Sequence, residues 1–457
     1  MKALLISGDR SGTGKTSITL ALASLFSERT PVQTFKAGMD YIDPSYLSAV
    51  TGRPCRNLDG FVMGDREIQA SFSHGCLGAG LALIEGVRGL YEGADALTDR
   101  GSTAGIAKDL GVPVILVVNA RSITRSAAAL VKGFQAFDPA ISIRGVILNS
   151  VGSESHTRKA VTAIEHACGI PVLGAIPQDS RVELTMRHLG LVPYREGSGD
   201  GEFTNRLAAV RELVSAHVDL DRVLACAADL DPVSSDPSPF TAEKKPDVRI
   251  GVAYDEAFNF YYADLFDLLP ALGAEVVTFS PVQGRLPEAD GYILGGGYPE
   301  LFGPGLEANE GMKEGLRQAS LDGKPIYGEC GGLMYLTDRI VLAKGWRGGP
   351  GASYAMCGVF PGETRMPASR VVSYVEGVAS GESPLGPGPF RGHEFHYSDV
   401  VLDSGTRYAY RITRGLGIRD GLDGALVRRT LGSYTHLHPL ASLDMFRAFV
   451  EGCRGKR

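Results

Sequence analysis

The residues between Gly8 and Thr16 have the types and spacing of a phosphate-binding loop. They read Gly8-Asp-Arg-Ser-Gly12-Thr-Gly14-Lys15-Thr16 and follow the apolar run Ala3–Ser7. Gly12 and Gly14 allow backbone N–H groups to turn inward around a phosphate, and Lys15 can reach its oxygens. The Thr16 hydroxyl can hold Mg²⁺, so we expect ATP bound with magnesium. Gly8 lies one residue farther from Gly14 than the usual pattern requires, and a glycine-rich turn before a helix is the alternative.

Two acidic clusters follow later apolar runs. Asp40 and Asp43 come after one run, and Glu85 comes directly after another. Because the carboxyl ends of parallel strands share one edge of a sheet, these carboxylates should lie beside the phosphate loop. Phosphoryl transfer needs Mg²⁺ held by oxygen ligands, which predicts Asp40 and Glu85 as metal or phosphate residues. Asp43 precedes Pro44, and a helix N-cap explains it equally well.

Cys330 lies in a setting typical of a catalytic nucleophile. The surrounding residues are Gly328-Glu329-Cys330-Gly331-Gly332, between an apolar run and a helix-like stretch. Small neighbours permit the tight turn that presents the side chain, and the N–H of Gly331 can face a developing oxyanion. A helix N-terminus also favours the thiolate. A base is expected from His436 or His438, roughly a hundred residues later, whereas a small buried cysteine is the alternative.

His393 and His396 form a further pair, in Gly392-His-Glu-Phe-His-Tyr397. Their spacing suits metal binding, but no third ligand at a recognisable spacing accompanies them. Substrate contact or a structural role is therefore the interpretation we favour, with metal ligation as the alternative.

Apolar runs that alternate with amphipathic stretches should position these residues. The candidate strands of the N-terminal half are Ala3–Ser7, Val32–Lys36, Leu81–Ile84, Val114–Val118, Gly145–Leu148 and Val172–Ile176. The helix-like stretches are Thr16–Ser27, Gly105–Leu110, Ser122–Ala136 and Thr157–Ala167. Apolar strands bounded by Gly or Pro between such helices predict an α/β fold with a parallel sheet covered on both faces.

A segment rich in Pro, Ser and Asp divides the chain. Residues 229–247 contain Pro232, Pro237, Pro239 and Pro246 and little to bury, which indicates a linker. A second α/β series begins at Val248 and turns into mixed β structure toward the C-terminus. We therefore expect one domain at residues 1–228 and another at residues 248–457.

Composition narrows the function classes. The 457 residues carry a net charge of −6 and are 44% apolar, which is typical of a globular protein and argues against a general affinity for nucleic acid. A membrane-spanning helix needs about 18 apolar residues in a row, and no uninterrupted apolar run in the sequence is that long. We therefore expect a cytoplasmic protein without a membrane partner. The seven cysteines form no Cys-x-x-Cys pair, which argues against a zinc knuckle or a disulfide framework.

Seven segments, in order, make the sequence resemble the cobyrinate a,c-diamide synthase family over nearly its whole length. They are Gly14–Thr16, Phe35–Pro44, Arg56–Asp59, Ile84–Val87, Leu294–Glu300, Tyr327–Gly332 and His393–Tyr397. In that family the N-terminal half is similar to dethiobiotin synthetase, a P-loop domain with a parallel sheet. The C-terminal half is a class I glutamine amidotransferase α/β domain.

The resemblance implies a role for each candidate residue. Cys330 attacks the amide of L-glutamine, and His436 raises the nucleophilicity of the thiol. The residues around ATP and Mg²⁺ are Gly12, Gly14, Lys15, Thr16, Asp40 and Glu85. The positions assigned to the oxyanion or the substrate are Gly297, Gly331, Asp43, His393 and His396. Arg88 departs from the family, in which Met is more usual at this position, and it is a candidate for contact with an anionic substrate. His438 stands where many class I amidotransferases carry Glu, and its role stays open.

The implied activity is amidation of the a and c acetates of a tetrapyrrole through acyl phosphates. Cobyrinate, in cobalamin biosynthesis, and nickel sirohydrochlorin, on the way to the methanogenesis coenzyme, carry the same acetates, so the shared motifs do not separate them. A cobyric acid synthase-like enzyme is one alternative. A P-loop ATPase that switches partners is another, although it leaves Cys330 without a role. The order of amidation, the ammonia path and the oligomeric state, with a homo-oligomer among the alternatives, stay open.

Overall fold

The computed structural model describes residues 1–179, 202–231, 238–242 and 245–455. Within it the chain forms two units, Met1–Asp236 and Pro237–Arg457. Part of the predicted linker 229–247, including Pro232 and Pro237, lies outside the described residues. In the described part of the chain, every helix is too short or too polar to cross a membrane.

Strands and helices alternate through the first unit. Its elements are β1 (Lys2–Gly8), α1 (Lys15–Ser27), β2 (Val32–Ala37), α2 (Ile42–Thr51), β3 (Arg56–Leu58), α3 (Asp65–Gly75), β4 (Leu81–Glu85), α4 (Thr103–Asp109), β5 (Val114–Asn119), α5 (Arg125–Phe137), β6 (Ile143–Val151), α6 (Glu154–Cys168), β7 (Val172–Pro177), α7 (Glu202–His217), α8 (Leu220–Ala225) and β8 (Ala228–Asp229). Each predicted strand of this half has a counterpart here.

The first unit is built on one sheet with the order β3-β2-β4-β1-β5-β6-β7, in which all neighbours are parallel. The strand β8 pairs antiparallel with the start of β1. β1, β2, β4 and β5 are buried along nearly their whole length, and β1, β4 and β5 accordingly read as nearly unbroken apolar runs. β2 also buries three polar side chains, those of Gln33, Thr34 and Lys36. Ile18 and Leu22 of α1 pack in the same buried cluster as Ile6 and Val117 of the sheet, which fixes the start of α1 beside the strand ends.

The second unit begins as a parallel sheet and ends in antiparallel strands. Its elements are β9 (Val248–Ala253), α9 (Ala263–Ala271), β10 (Ala274–Phe279), β11 (Gly291–Leu294), α10 (Gly303–Ala308), α11 (Glu310–Leu321), β12 (Ile326–Glu329), α12 (Gly331–Leu336), β13 (Thr337–Leu342), β14 (Ala352–Ala355), β15 (Phe360–Met366), β16 (Val371–Ala379), β17 (Gly388–His396), β18 (Asp399–Leu402), β19 (Arg407–Arg414), β20 (Leu422–Val427), β21 (Thr430–Ser433), β22 (His436–Leu437) and α13 (Leu443–Arg454).

A ten-stranded sheet with the order β10-β9-β11-β12-β21-β20-β19-β16-β17-β22 forms the centre of this unit. β10, β9, β11, β12 and β21 are parallel, and the remaining pairings are antiparallel. A four-stranded sheet, β14-β13-β15-β18, accompanies it. The α/β fold predicted for both halves, with mixed β structure near the C-terminus, is confirmed.

Candidate active sites

The predicted phosphate loop connects β1 to α1. Gly12 and Gly14 have φ values of 78° and 90°, the left-handed region that glycine adopts without strain. At Gly8 a Cβ atom would lie 2.4 Å from Thr13 Oγ1 and 2.9 Å from Arg10 O, so a side chain there would force the loop to shift. Asn149 Nδ2 of β6 donates a hydrogen bond to Thr13 O at 2.8 Å and holds the loop. The loop therefore places Lys15, which is 9% exposed, at the N-terminus of α1.

A buried charge cluster lies beside this loop. Thr16 Oγ1 donates a hydrogen bond to Glu85 Oε1 at 2.6 Å. Lys36 Nζ lies 2.5 Å from Asp43 Oδ2 and 2.8 Å from the same Glu85 oxygen. These contacts exist because β4 lies between β2 and β1, so that the ends of all three strands meet at one edge. The structure thus brings Lys15, Thr16 and both acidic clusters together, as predicted, and adds Lys36.

Asp40 and Asp43 differ in what they contact. Asp40 Oδ1 accepts hydrogen bonds from the N–H groups of Ile42 at 2.8 Å and Asp43 at 3.2 Å, so Asp40 caps the first turn of α2. The N-cap alternative for Asp43 is therefore wrong, because α2 begins one residue before it and its carboxylate turns to Lys36. Asn57 Nδ2 of β3 donates to Asp40 O at 2.7 Å, which fixes the loop.

Burial and mutual charge shift the ionisation of this cluster. Burial raises the pKa of Glu85, with Lys36 opposing it. Burial and the neighbouring Asp43 raise the pKa of Asp40 to about 7. Burial also acts on Asp43, but the Lys36 ammonium outweighs it and leaves the pKa of Asp43 below its usual value. The pKa of Lys15 is lowered by burial and then by Lys36.

The oxygens of this cluster suit a magnesium ion that is shared with a nucleotide. Mg²⁺ is usually held by one or two carboxylates together with substrate phosphates and water. Glu85 Oε2 is buried and has no hydrogen-bond partner, and it lies on the carboxylate that contacts Thr16. No ready-made group of three or more His, Cys, Asp or Glu ligands occurs among the described residues.

Arg88 lies apart from this cluster at the exposed turn after β4. Its φ is 51°, and its Nη1 atom is 3.5 Å from Gly93 O. The turn is held because Thr103 Oγ1 accepts a hydrogen bond from the N–H of Val87 and donates one to the Val87 carbonyl. The guanidinium is therefore exposed on a fixed turn.

The second site is a sharp turn between β12 and α12. Cys330, at its centre, has φ 46° and ψ −96°, a strained conformation for a residue with a side chain. Its N–H donates to Ser433 O at 2.7 Å, and the N–H of Gly332 donates to Gly295 O at 3.0 Å. A Cβ on Gly332 would lie 2.1 Å from Leu294 O, which explains the glycine. Strain of this kind at a strand-to-helix turn is typical of a nucleophile elbow.

His436, on β22, is the histidine that meets Cys330. Burial by itself lowers the pKa of His436. The hydrogen bonds and charges of Cys330 and Glu329 outweigh this effect and raise the pKa to about 10. The Nδ1 atom of His436 lies 3.4 Å from Glu329 Oε2. The base predicted as His436 or His438 is therefore placed at His436, whereas His438 Nε2 lies 3.6 Å from Asp264 Oδ2.

Gly297 and Gly331 face each other beside Cys330. A Cβ on Gly331 would lie 3.1 Å from the backbone nitrogen of Gly297. Gly297 has φ 152°, and a Cβ there would come within 2.1 Å of Ala257 O. The neighbouring Gly296 packs against the ring of His436, since a Cβ on it would lie 2.7 Å from Cε1. The backbone around Gly297 and the backbone around Gly331 thus approach each other closely beside Cys330.

The two other predicted histidines line the same region. His393 stacks on His436 with ring centroids 4.9 Å apart, and its Nδ1 lies 3.2 Å from the Tyr262 hydroxyl. His396 stacks on Tyr434 at 3.7 Å, and burial lowers its pKa to about 4. Burial lowers the pKa of His393 as well. Both rings are packed on aromatic partners, and their Nδ1 atoms lie within hydrogen-bond distance of Tyr262 and of the Ser398 carbonyl, which supports the substrate or structural interpretation over metal ligation.

Comparison with known proteins matches each unit to a family. Residues 4–192 match the CobQ/CobB/MinD/ParA nucleotide binding domain, and residues 249–443 match the CobB/CobQ-like glutamine amidotransferase domain. A protein of Methanosarcina barkeri named cobyrinate a,c-diamide synthase is 48% identical and covers 99% of this chain and 96% of its own length. This chain belongs to the cobyrinate a,c-diamide synthase family. Relatives of the same name in Methanosarcina acetivorans and Methanothermobacter thermautotrophicus are 49% and 41% identical, over 98% and 97% of this chain and 94% and 98% of their own.

Membership in the family makes the protein a glutamine-dependent amide-forming ligase with a nucleotide-binding domain. A solved structure of MinD with Mg-ADP from Pyrococcus horikoshii is 18% identical, with a TM-score of 0.30, over 47% of this chain and 95% of its own, a likeness too slight to carry an argument.

Two further charged residues belong to these sites, and the sequence motifs do not single them out. Lys36, in β2, joins Asp43 to Glu85. Glu329, the residue before Cys330, faces His436. A charged residue at the end of an apolar run was the available signal in both cases, since such a residue is rarely buried without a partner.

Proposed function

We propose that this protein uses ATP and glutamine to amidate the a and c acetates of a tetrapyrrole polycarboxylate. Cobyrinate is the substrate named in the relatives, and nickel sirohydrochlorin, which carries the same acetates, is the second candidate. The observation that carries the proposal is one chain with a Cys–His pair in one unit and a phosphate loop with carboxylates in the other. A nucleotide-dependent switch protein would leave the Cys–His pair without a role. The proposed domains are residues 1–228, for carboxylate activation, and residues 248–457, for glutamine hydrolysis.

Glutamine hydrolysis is assigned to Cys330 and His436. The Cys330 thiolate attacks the amide carbon, and the N–H groups of Gly331 and Gly297 stabilise the oxyanion. The His436 imidazolium gives its proton to the departing nitrogen, so ammonia leaves and a γ-glutamyl thioester remains. Water then attacks the thioester and releases glutamate. The strained turn at Cys330 and the close approach of Gly297 support these roles.

Carboxylate activation is assigned to the first unit. A substrate carboxylate oxygen attacks the γ-phosphorus of ATP, ADP leaves, and ammonia displaces phosphate from the resulting acyl phosphate. Gly12 and Gly14 open the loop to the phosphates, and Lys15 binds the oxygens of the phosphoryl group in transfer. Thr16, Asp40 and Glu85 would hold Mg²⁺, which neutralises phosphate charge when bound. The Thr16–Glu85 contact and the free Glu85 oxygen support this set.

Binding of the anionic substrate is assigned to a positively charged side chain. A tetrapyrrole with many carboxylates needs cations, and Arg88 presents an exposed guanidinium on a fixed turn after β4. Asp43 is assigned to the phosphate side because it binds Lys36 next to Glu85. His393 and His396 are assigned to the glutamine site, since His393 stacks on His436 and Cys330 Sγ lies 3.8 Å from the carbonyl oxygen of Phe395, which precedes His396.

The test supplies cobyrinate and nickel sirohydrochlorin in parallel and follows mass gain with glutamine or ammonium. Cys330→Ala should abolish glutamine-supported amidation and keep the ammonium-supported reaction, whereas Lys15→Ala should lower both at least tens-fold. Near-normal ammonium-supported activity in Lys15→Ala would contradict the activation site. Equal loss with both nitrogen sources in Cys330→Ala would contradict its restriction to glutamine hydrolysis.

A further inference from the structure

A carboxylate lies beside the proposed catalytic histidine, but it comes from an unexpected position in the chain. The place two residues after His436, where related amidotransferases carry an acid, holds His438. Glu329 Oε2 instead lies 3.4 Å from His436 Nδ1. Glu329 is 7% exposed and His436 is 1% exposed, so water competes little for this contact.

The Glu329 carboxylate is held so that one oxygen remains for the histidine. Oε1 accepts hydrogen bonds from the Tyr327 hydroxyl at 2.5 Å and from the N–H of Leu437 at 3.1 Å. Burial and then the Glu329 charge hold the pKa of Tyr327 well above its usual value, so the phenol keeps its proton and donates. Two donors on Oε1 fix the carboxylate plane and leave Oε2 toward His436.

His438 is engaged with a different carboxylate. Its Nε2 atom lies 3.6 Å from Asp264 Oδ2, and both side chains are fully buried. Its ring packs on Tyr262, with centroids 4.8 Å apart. These contacts place His438 in the core between β22 and α9, whereas Glu329 is the carboxylate that faces Nδ1 of His436.

We infer that Glu329 completes a Cys330–His436–Glu329 triad as the positioning residue, in place of an acid two residues after the histidine. The inference rests on the roles proposed for Cys330 and His436. Glu329 Oε2, 3.4 Å from His436 Nδ1, orients the ring by charge so that its other nitrogen faces Cys330. The carboxylate also stabilises the imidazolium that forms with the thiolate. Because Glu329 and Cys330 are consecutive, the end of β12 supplies both the acid and the nucleophile.

Other ionisable groups also face His436 and bear on its titration. Cys330 lies on one side and His393 of β17 is stacked on the ring. His396 and Glu394, on the same strand, are coupled to it electrostatically. Burial, with the charges of His436 and His438, holds the pKa of His393 well below its usual value, so this ring is neutral. The raised pKa of His436 therefore reflects Cys330 and Glu329.

The test compares Glu329→Gln, Glu329→Asp and the control His438→Gln in the full chain. In Glu329→Gln we expect the glutaminase kcat to fall about 10²- to 10⁴-fold with KM within a few-fold, as in other triads that lose the acid. Glu329→Asp should recover part of this loss, and His438→Gln should lose less than about tenfold. The alkaline limb of the pH–rate profile should move to lower pH in Glu329→Gln, because the carboxylate no longer supports the imidazolium.

Three results would overturn the inference. The first is glutaminase activity of Glu329→Gln within tenfold of the parent protein. The second is a loss of glutaminase activity in His438→Gln as large as that in Glu329→Gln. The third is an equal loss of ammonium-supported amidation in Glu329→Gln. Cys330→Ala, assayed alongside, separates this inference from the proposed function. Glutaminase that survives Cys330→Ala refutes the role of the thiol, whereas an inactive Cys330→Ala with an active Glu329→Gln refutes only the role of Glu329.

Discussion

Replacing Lys36 by Met should leave two buried carboxylates without their cation. The side chains of Lys36, Asp43 and Glu85 are 3%, 12% and 0% exposed, with Nζ 2.5 Å and 2.8 Å from the two acids. At an effective dielectric constant of about 20, each such contact corresponds to about 6 kcal/mol of attraction. Removing the lysine also removes its own desolvation cost, so the net loss of unfolding free energy should be about 3–5 kcal/mol.

The matched control is Lys108→Met. Lys108 also bridges two carboxylates, Asp99 and Asp138, but its side chain is 31% exposed and theirs are 32% and 22% exposed. An ion pair at the surface contributes about 0–1 kcal/mol, so this variant should be nearly as stable as the parent.

Hydrogen exchange across a urea series, read by mass spectrometry, measures both effects. Peptides from β2 and β4 should lose protection in Lys36→Met, and peptides from β12 in the second unit serve as the internal reference. A Lys36→Met variant no less stable than Lys108→Met would refute the reasoning, because it would mean that the two acids are protonated or hydrated without the lysine.

Three further predictions concern catalysis. Asp40→Asn and Glu85→Gln should raise the Mg²⁺ concentration needed for half-maximal amidation; an unchanged requirement in both would return them to a structural role. Glutaminase activity should decline as pH rises through about 10, since His436 is an imidazolium only below its raised pKa, and a profile still flat above that pH would contradict the pair. Because the sequence holds one phosphate loop and one cysteine elbow, free monoamide should rise before diamide with one ATP per step; diamide from the outset, without free monoamide, would contradict this.

The sequence predicted the parts of each site whose geometry is set by consecutive residues. Gly14, Lys15 and Thr16 define the loop by themselves, and Gly331 defines the turn after Cys330. The positions of most strands could also be predicted from the sequence, because a strand buried on both faces usually reads as a largely apolar run. The short elements α2 and β3 gave no clear pattern. In α2 the few buried residues alternate with polar ones, and β3 has three residues, of which two are buried polar side chains.

The shared edge of the strand ends could be predicted, but the individual side-chain contacts made there could not. Lys36 meets Glu85 only because β4 inserts between β2 and β1, and His436 meets Glu329 only because β22 returns beside the end of β12. The capping of α2 by Asp40 instead of Asp43 has a smaller cause. The two acids lie within one turn of each other, and the capping residue depends on the exact start of α2, which sequence patterns fix poorly.

The seven cysteines, all buried and none disulfide-bonded, make the protein suited to chemical counting of its active sites. Burial raises the pKa of the six thiols other than Cys330, namely Cys55, Cys76, Cys168, Cys226, Cys357 and Cys453. At neutral pH these six are poor nucleophiles, because the thiolate is the reactive form. A small electrophile shaped like glutamine should therefore label the folded protein once, and the labelled fraction would report how many molecules in a preparation are competent.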